Sequence, residues 1–129
     1  MKKTLLAVVA LLLGLTVMAE GADWTLVSES PEEKKWFVDK QSIQCLRDTI
    51  KARIKRVAKS PEVIHNKGYK EVIVLNEFDR KEKRLRELQV QILFTDGGSN
   101  VTNSKGDWMN IMRDSMYEAI YNHLKGVCK

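Results

Sequence analysis

Thr49-Ile50-Lys51-Ala52-Arg53-Ile54-Lys55-Arg56-Val57-Ala58 is the stretch on which the fold turns. Ile50, Ala52 and Ile54 alternate with Lys51, Arg53 and Lys55, and a period of two places the two sets on opposite faces of an extended chain. This is the pattern of a strand with one face against a core and one wet, cationic face. Arg56 and Val57 break the phase, which predicts a bulge or a frayed strand end at that point.

Working toward the N-terminus, Lys35-Trp36-Phe37-Val38 is a short bulky strand, and Asp39 and Ser42 supply side-chain oxygens for backbone N–H groups, the usual chemistry of a strand that stops at a turn. Trp24 to Val27 is another short alternating run, closed by Ser28-Glu29-Ser30-Pro31. Toward the C-terminus, Ser60-Pro61 opens a polar connection expected to run to Gly68. Glu71 to Phe78, rich in Val and Ile, reads as a strand near the sheet centre. Asp79 to Glu87 is a dense run of mixed charge. Leu85, Leu88 and Ile92 fit a helical spacing, but Val90, Ile92 and Phe94 crowd the end before Thr95-Asp96-Gly97-Gly98, so a strand closed by a hairpin-type turn is the expectation.

Ser115 precedes Glu118 by three, the spacing of a capping box. Tyr117, Ile120, Tyr121, Leu124 and Val127/Cys128 then form one apolar helix face, with Gly126 placed as a C-cap. Five or six short strands and one terminal helix make an α+β fold, an antiparallel sheet with the helix packed on one face.

The first residues have a different logic. Met1-Lys2-Lys3, the apolar run Leu5 to Met18 and the small residues after it are the parts of a secretory signal peptide, with cleavage expected after Ala19 and Gly21 as second choice. The run is shorter than the about 20 residues of a membrane span. Residues 20–129 then form a single domain with no transmembrane segment, periplasmic or secreted. Removal of Lys2 and Lys3 lowers the formal net charge of +5, and a mildly basic exported domain does not point to nucleic acid as a partner.

The chain has two cysteines, Cys45 and Cys128. In an oxidising compartment two cysteines in a small domain usually pair; two unpaired buried thiols are the alternative that sequence leaves open. Catalytic and metal motifs are missing: there is no HExxH, CxxC, GxSxG or glycine-rich phosphate loop, and neither His65 nor His123 has a ligand at metal-site spacing. No catalytic residue, metal or cofactor is expected, and both histidines read as surface residues. Asn100-Val101-Thr102 matches a glycosylation sequon by chance, in a chain whose leader is of bacterial type. Trp24, Trp36 and Trp108 are expected mainly as core rings. Two cationic groups stand out: Lys51, Arg53 and Lys55 with Arg56 and Lys59 nearby, and Lys81, Lys83, Arg84 and Arg86 diluted by Glu82 and Glu87. The first is the candidate ligand-binding stripe for an acidic partner, against a plain solvated strand face.

The order of these features resembles the surface-adhesin protein E family, small exported domains of Gram-negative bacteria. The resemblance rests on Trp36-Phe37-Val38-Asp39 with Ser42-Ile43, on Val72-Ile73-Val74-Leu75-Asn76, on Leu88 to Asp96, on Trp108, and on the Ser-capped element from Ser115 to Cys128. It covers roughly Trp24 to Cys128. It implies an antiparallel sheet with a C-terminal helix and a non-enzymatic adhesin that binds host matrix and serum proteins and self-associates, as in a homodimer. Family members carry a cysteine just after the central Asn, paired with the C-terminal one. Here Glu77-Phe78-Asp79-Arg80 has none, which implies Cys45 as the replacement partner of Cys128. The family adhesin is also lipid-anchored, and this chain lacks a cysteine at the leader junction. The function expected is therefore an exported binding module contacting proteins or anionic ligands at the envelope; an envelope structural or inhibitor-like protein, or a small periplasmic hydrolase, are the other readings.

Overall fold

The computed structural model describes residues 22–29 and 34–129. The leader expected over residues 1–19 lies outside them. Six strands run in the order β1 (Trp24–Glu29), β2 (Lys34–Asp39), β4 (Thr49–Ile64), β5 (Lys67–Asp79), β6 (Arg84–Phe94) and β7 (Ser99–Asn103), each antiparallel to its neighbour. Two short strands complete the sheet, β3 (Gln44–Cys45) on β4 and β8 (Met109–Asn110) on β6. Among the described residues one α-helix, α1 (Met116–Val127), follows the strands at the C-terminal end. The expected α+β architecture is what the structure has.

The inner face is built as the alternation requires. Val38, Ile50, Ala52, Ile54, Phe78 and Leu85 are buried against Ile120, Tyr121 and Leu124 of α1. Phe78 and Tyr121 stack with ring centroids 6.2 Å apart, and the Tyr121 hydroxyl donates to the carbonyls of Asp79 and Arg80 at the β5–β6 turn. The helix stripe is as expected except at its end, where Cys128 is buried and Val127 is exposed. Ser115 caps the helix by accepting from the Glu118 N–H. The reciprocal bond is displaced by one residue, because the Glu118 carboxylate takes the N–H of Asp114, whose φ of 61° turns that amide inward. Gly126 lies within the helix rather than capping it; Cys128 is the C-cap, its N–H donating to the Leu124 carbonyl.

The Trp36-Phe37-Val38-Asp39 strand end has a clear physical role. Asp39 is almost wholly buried, and its Oδ1 accepts from the N–H groups of Asp23 and Gln41, both at 3.0 Å. Ser42 Oγ donates to the Asp39 carbonyl and accepts from the Arg53 N–H, both at 2.8 Å. A one-turn 3-10 helix over Lys40–Ser42 results. It ends β2, ties it to β1 and β4, and lets the chain return to the same edge of β4 as β3. Cys45 thereby pairs with Ile50 and forms a disulfide with Cys128, Cα atoms 5.5 Å apart. Arg80 reinforces this corner, its guanidinium donating to the carbonyls of Leu46 and Cys128.

Three expectations about strands need correction. β4 does not stop at Ala58: it continues through Pro61 to Ile64, and the register with β5 slips between Val57 and Glu62. Pro61 sits in this unpaired gap, where its missing N–H leaves no ladder bond unmade. The connection expected from Ser60 to Gly68 is therefore only a two-residue turn, His65-Asn66, with φ of 50° and 63°, the left-handed pair of a tight hairpin. Part of the charged run is also strand, since β6 begins at Arg84. Each of these segments pairs with a long neighbour, and pairing outweighs local composition.

Candidate functional site

β4 and β5 are long, about 50 Å for the 16 residues of β4 at about 3.3 Å per residue, whereas the 12 residues of α1 span about 18 Å. The helix therefore covers only part of the inner face. Beyond its first turn the sheet lines a cleft of about 240 Å³. Among the described residues, no helix packs on the other face of the sheet.

On that outer face the structure brings Lys51, Arg53 and Lys55 together. All three are half-buried. Lys55 lies over two rings, with Nζ 4.5 Å from the centroid of Trp24 and 5.2 Å from that of Phe37, and the Arg53 guanidinium is 5.9 Å from Trp24. Leu75 and Ile73 of β5 stand opposite Arg53 and Lys55. Lys51 is opposite Glu77, which already accepts from Arg86 at 2.7 Å. The stripe is thus a positive centre at Arg53 and Lys55 set on an aromatic and aliphatic floor. Strand β4 is interior, with β2 and β3 on one side and β5 on the other, so its cations do not serve to blunt a sheet edge.

Arg56 does not belong to this stripe. It continues the parity of Ile50, Ala52 and Ile54, and it lines the inner cleft. The second cationic group is neutralised: Lys81 meets Asp48, Lys83 meets Glu118, Arg84 meets Asp79 and Arg86 meets Glu77. Of the three tryptophans only Trp36 joins the core; Trp24 lies under the stripe, and Trp108 packs on Arg84 and Arg86, 4.8 and 4.3 Å from their guanidinium carbons. His65 is exposed at its turn, while His123 is half-buried and its Nε2 has no hydrogen-bond partner among the described residues.

The cleft has walls of Trp36, Tyr69 and Tyr117, a floor of Val72, Val74 and Asn76, and charges of both signs in Arg56 and Glu87. Trp36 and Tyr117 meet edge to face at 5.5 Å. Two bulges make this mixed lining. In the β5–β6 ladder Asn76 faces Glu87 while Val74 faces Val90, so Leu88 is extra, and Tyr69 faces Phe94 while Glu71 faces Leu93, so Lys70 is extra. Each extra residue reverses the alternation and delivers Glu87 and Tyr69 to the face where Val90 and Val72 already point. No sequence pattern signals these positions. Among the described residues no group of His, Cys, Asp and Glu is placed to hold a metal ion, and no helix is long and apolar enough to cross a membrane.

At the cleft mouth Tyr69 donates to Glu62 at 2.9 Å, and Lys34 pairs with the same carboxylate at 3.2 Å. The Tyr69 hydroxyl, then Lys34, hold the Glu62 carboxyl below its ordinary value of 4.5, and donating to Glu62 raises the Tyr69 phenol above 10.0. Burial pushes the Tyr117 phenol up, Glu87 adds to this, and Arg56 opposes it. Asp79 is held low in spite of its burial, by the amides of Lys81 and Glu82 and by Arg84. A carboxylate whose folded pKa is depressed contributes stability above its ordinary pKa and loses it as pH falls through the folded value. Denaturant unfolding between about pH 6 and pH 3 should therefore show stability falling on acidification, with a shallower fall in Glu62→Gln. An equal slope in that variant would mean that the Tyr69–Glu62–Lys34 cluster contributes nothing.

A family model described as surface-adhesin protein E matches residues 24–129. Neither the curated proteins nor the solved structures compared with the chain gave a match.

Proposed function

The chain belongs to the surface-adhesin protein E family, and from that premise we propose that it is an exported, non-enzymatic binding module whose outer sheet face holds an acidic or anionic partner at the cell envelope or beyond it. The family name supports an adhesin-like binding role. The observation that carries the finer reading is the placement of Lys51, Arg53 and Lys55 on one face of β4 that no described helix covers, with Arg53 and Lys55 above Trp24 and Lys55 also above Phe37. Such rings immobilise long cationic side chains by about 0.5–1 kcal/mol per contact, so less side-chain freedom is lost when an anion arrives. Aromatic residues and arginine, here Trp24, Phe37 and Arg53, are enriched at interface centres. Residues 1–19 act in this account as the export signal, and residues 20–129 as the working domain in the periplasm or outside the cell.

Replacing Lys51, Arg53 and Lys55 together by Gln tests this reading. Binding to heparin, lipopolysaccharide and candidate extracellular proteins should weaken about tenfold or more at low salt. The parent's affinity should fall steeply as salt rises, and the variant's should not. A triple variant that binds as the parent does, with the same salt dependence, would reduce the stripe to solvation.

A further inference from the structure

Asn76 is wholly buried, and neither its Oδ1 nor its Nδ2 has a hydrogen-bond partner among the described residues. The Trp36 Nε1 is in the same condition, and both residues line the inner cleft. Such atoms are few in native proteins, and each costs about 1–3 kcal/mol when left unmade. An aliphatic residue at position 76 would carry no such cost, as Val72 and Val74 beside it on the same strand face do not. The polar groups are therefore matched to something that enters the cleft.

Their geometry specifies what enters. A carboxamide presents a carbonyl and an N–H side by side in one plane, so a ligand that satisfies both must offer an N–H and a C=O on the same side. A trans peptide unit places these groups on opposite sides. A primary carboxamide or the edge of a cyclic amide places them together. The Trp36 indole N–H is a separate donor on the cleft wall that has no partner among the described residues. Arg56 and Glu87 carry opposite charges at the same cleft, which favours an uncharged ligand, and Ile54, Val90 and Ile92 give it an aliphatic bed. A volume of about 240 Å³ is smaller than drug-sized pockets of roughly 300–1,000 Å³.

We propose that the inner cleft binds a small uncharged group, a primary carboxamide or cyclic amide on an aliphatic body, through the side chain of Asn76. This site lies on the face opposite Lys51, Arg53 and Lys55, so it stands or falls independently of the anionic site.

Three near-isosteric probes test it by titration of isotope-labelled protein followed by NMR: 4-methylpentanamide, its N-methyl amide and 4-methylpentanoate. The primary amide should saturably shift the Trp36 indole and Asn76 side-chain signals, and should bind about tenfold tighter than the other two, the equivalent of one hydrogen bond. A blocked tripeptide with a central glutamine assigns the source: binding names a carboxamide carried on a polypeptide, and failure beside a bound 4-methylpentanamide names a free small molecule. Asn76→Leu should abolish binding while keeping or raising the melting temperature, because the unmade bonds are gone. Should that variant not fold, Val90→Phe fills the cleft from the neighbouring strand without touching the amide, and should abolish binding in its place. No binding of 4-methylpentanamide or the tripeptide, equal binding of the three isosteres, or binding retained in either folded variant would overturn the proposal.

Discussion

Cys128→Ser is expected to lower the stability of the oxidised protein by about 2–4 kcal/mol, a loss read directly as a drop in the urea midpoint at unchanged slope. The bond closes a loop of 83 residues in sequence separation, and constraining so long a loop removes much of the unfolded chain's freedom, up to about 4.5 kcal/mol on the chain-entropy account. It also acts at a mechanical corner. β3 is only two residues long and pairs with β4 through Cys45 and Gln44, while Cys128 is the cap of α1. Without the covalent bond, Arg80 and the Tyr121 hydroxyl are what still hold the helix end to the sheet. The released helix end and β3 should therefore exchange amide hydrogens faster than the β4–β5 hairpin. Cys45→Ser should behave alike, since both remove the same bond. An unchanged midpoint in both variants would mean that the bond is not formed in solution.

Phe78→Ala should cost about 3–5 kcal/mol, the range for emptying a buried aromatic site. Phe78 has no exposed surface, faces Ile50 and Leu85 in the register of β5, and stacks on Tyr121. The strands on both sides are hydrogen-bonded along their length, so the cavity cannot collapse by sliding one of them. Phe78→Leu keeps most of the volume and should cost markedly less. If the two variants melted together, the stacking of sheet on helix at this point would not be the centre of the core.

Much of this architecture is legible in the residues because it depends on local chemistry. Alternation from Ile50 to Lys55 fixes which side chains face α1, and the spacing Tyr117, Ile120, Tyr121, Leu124 fixes which face of α1 they meet. Asp39 and Ser42 act within a few residues of themselves, so their turn is readable too. What escapes the sequence depends on pairing between distant residues. Pro61 reads as a strand breaker until the slipped register leaves it unpaired. Ser99–Asn103, exposed on every residue, has no apolar face to betray it, and becomes β7 only because β6 offers it an edge. The stripe of Lys51, Arg53 and Lys55 is legible, but the aromatic bed of Arg53 and Lys55 is not: Trp24 is brought beneath them by pairing of β1 with β2. The inner cleft was invisible for the same reason. It exists because α1 is shorter than the hairpin it covers, and because bulges at Lys70 and Leu88 reverse the alternation that a sequence reader must assume.

Contact between the outer sheet face and an anionic partner is open to mapping residue by residue. Titrating isotope-labelled protein with a heparin oligosaccharide and following amide and side-chain signals by NMR reports the contact surface without any substitution. The largest shifts should fall on Lys51, Arg53 and Lys55 and on the indole N–H of Trp24 and should weaken as salt is raised, while Arg84, Arg86 and the helix residues stay still. Shifts centred on Lys81 to Arg86 or on α1, with Lys51, Arg53 and Lys55 unmoved, would contradict it.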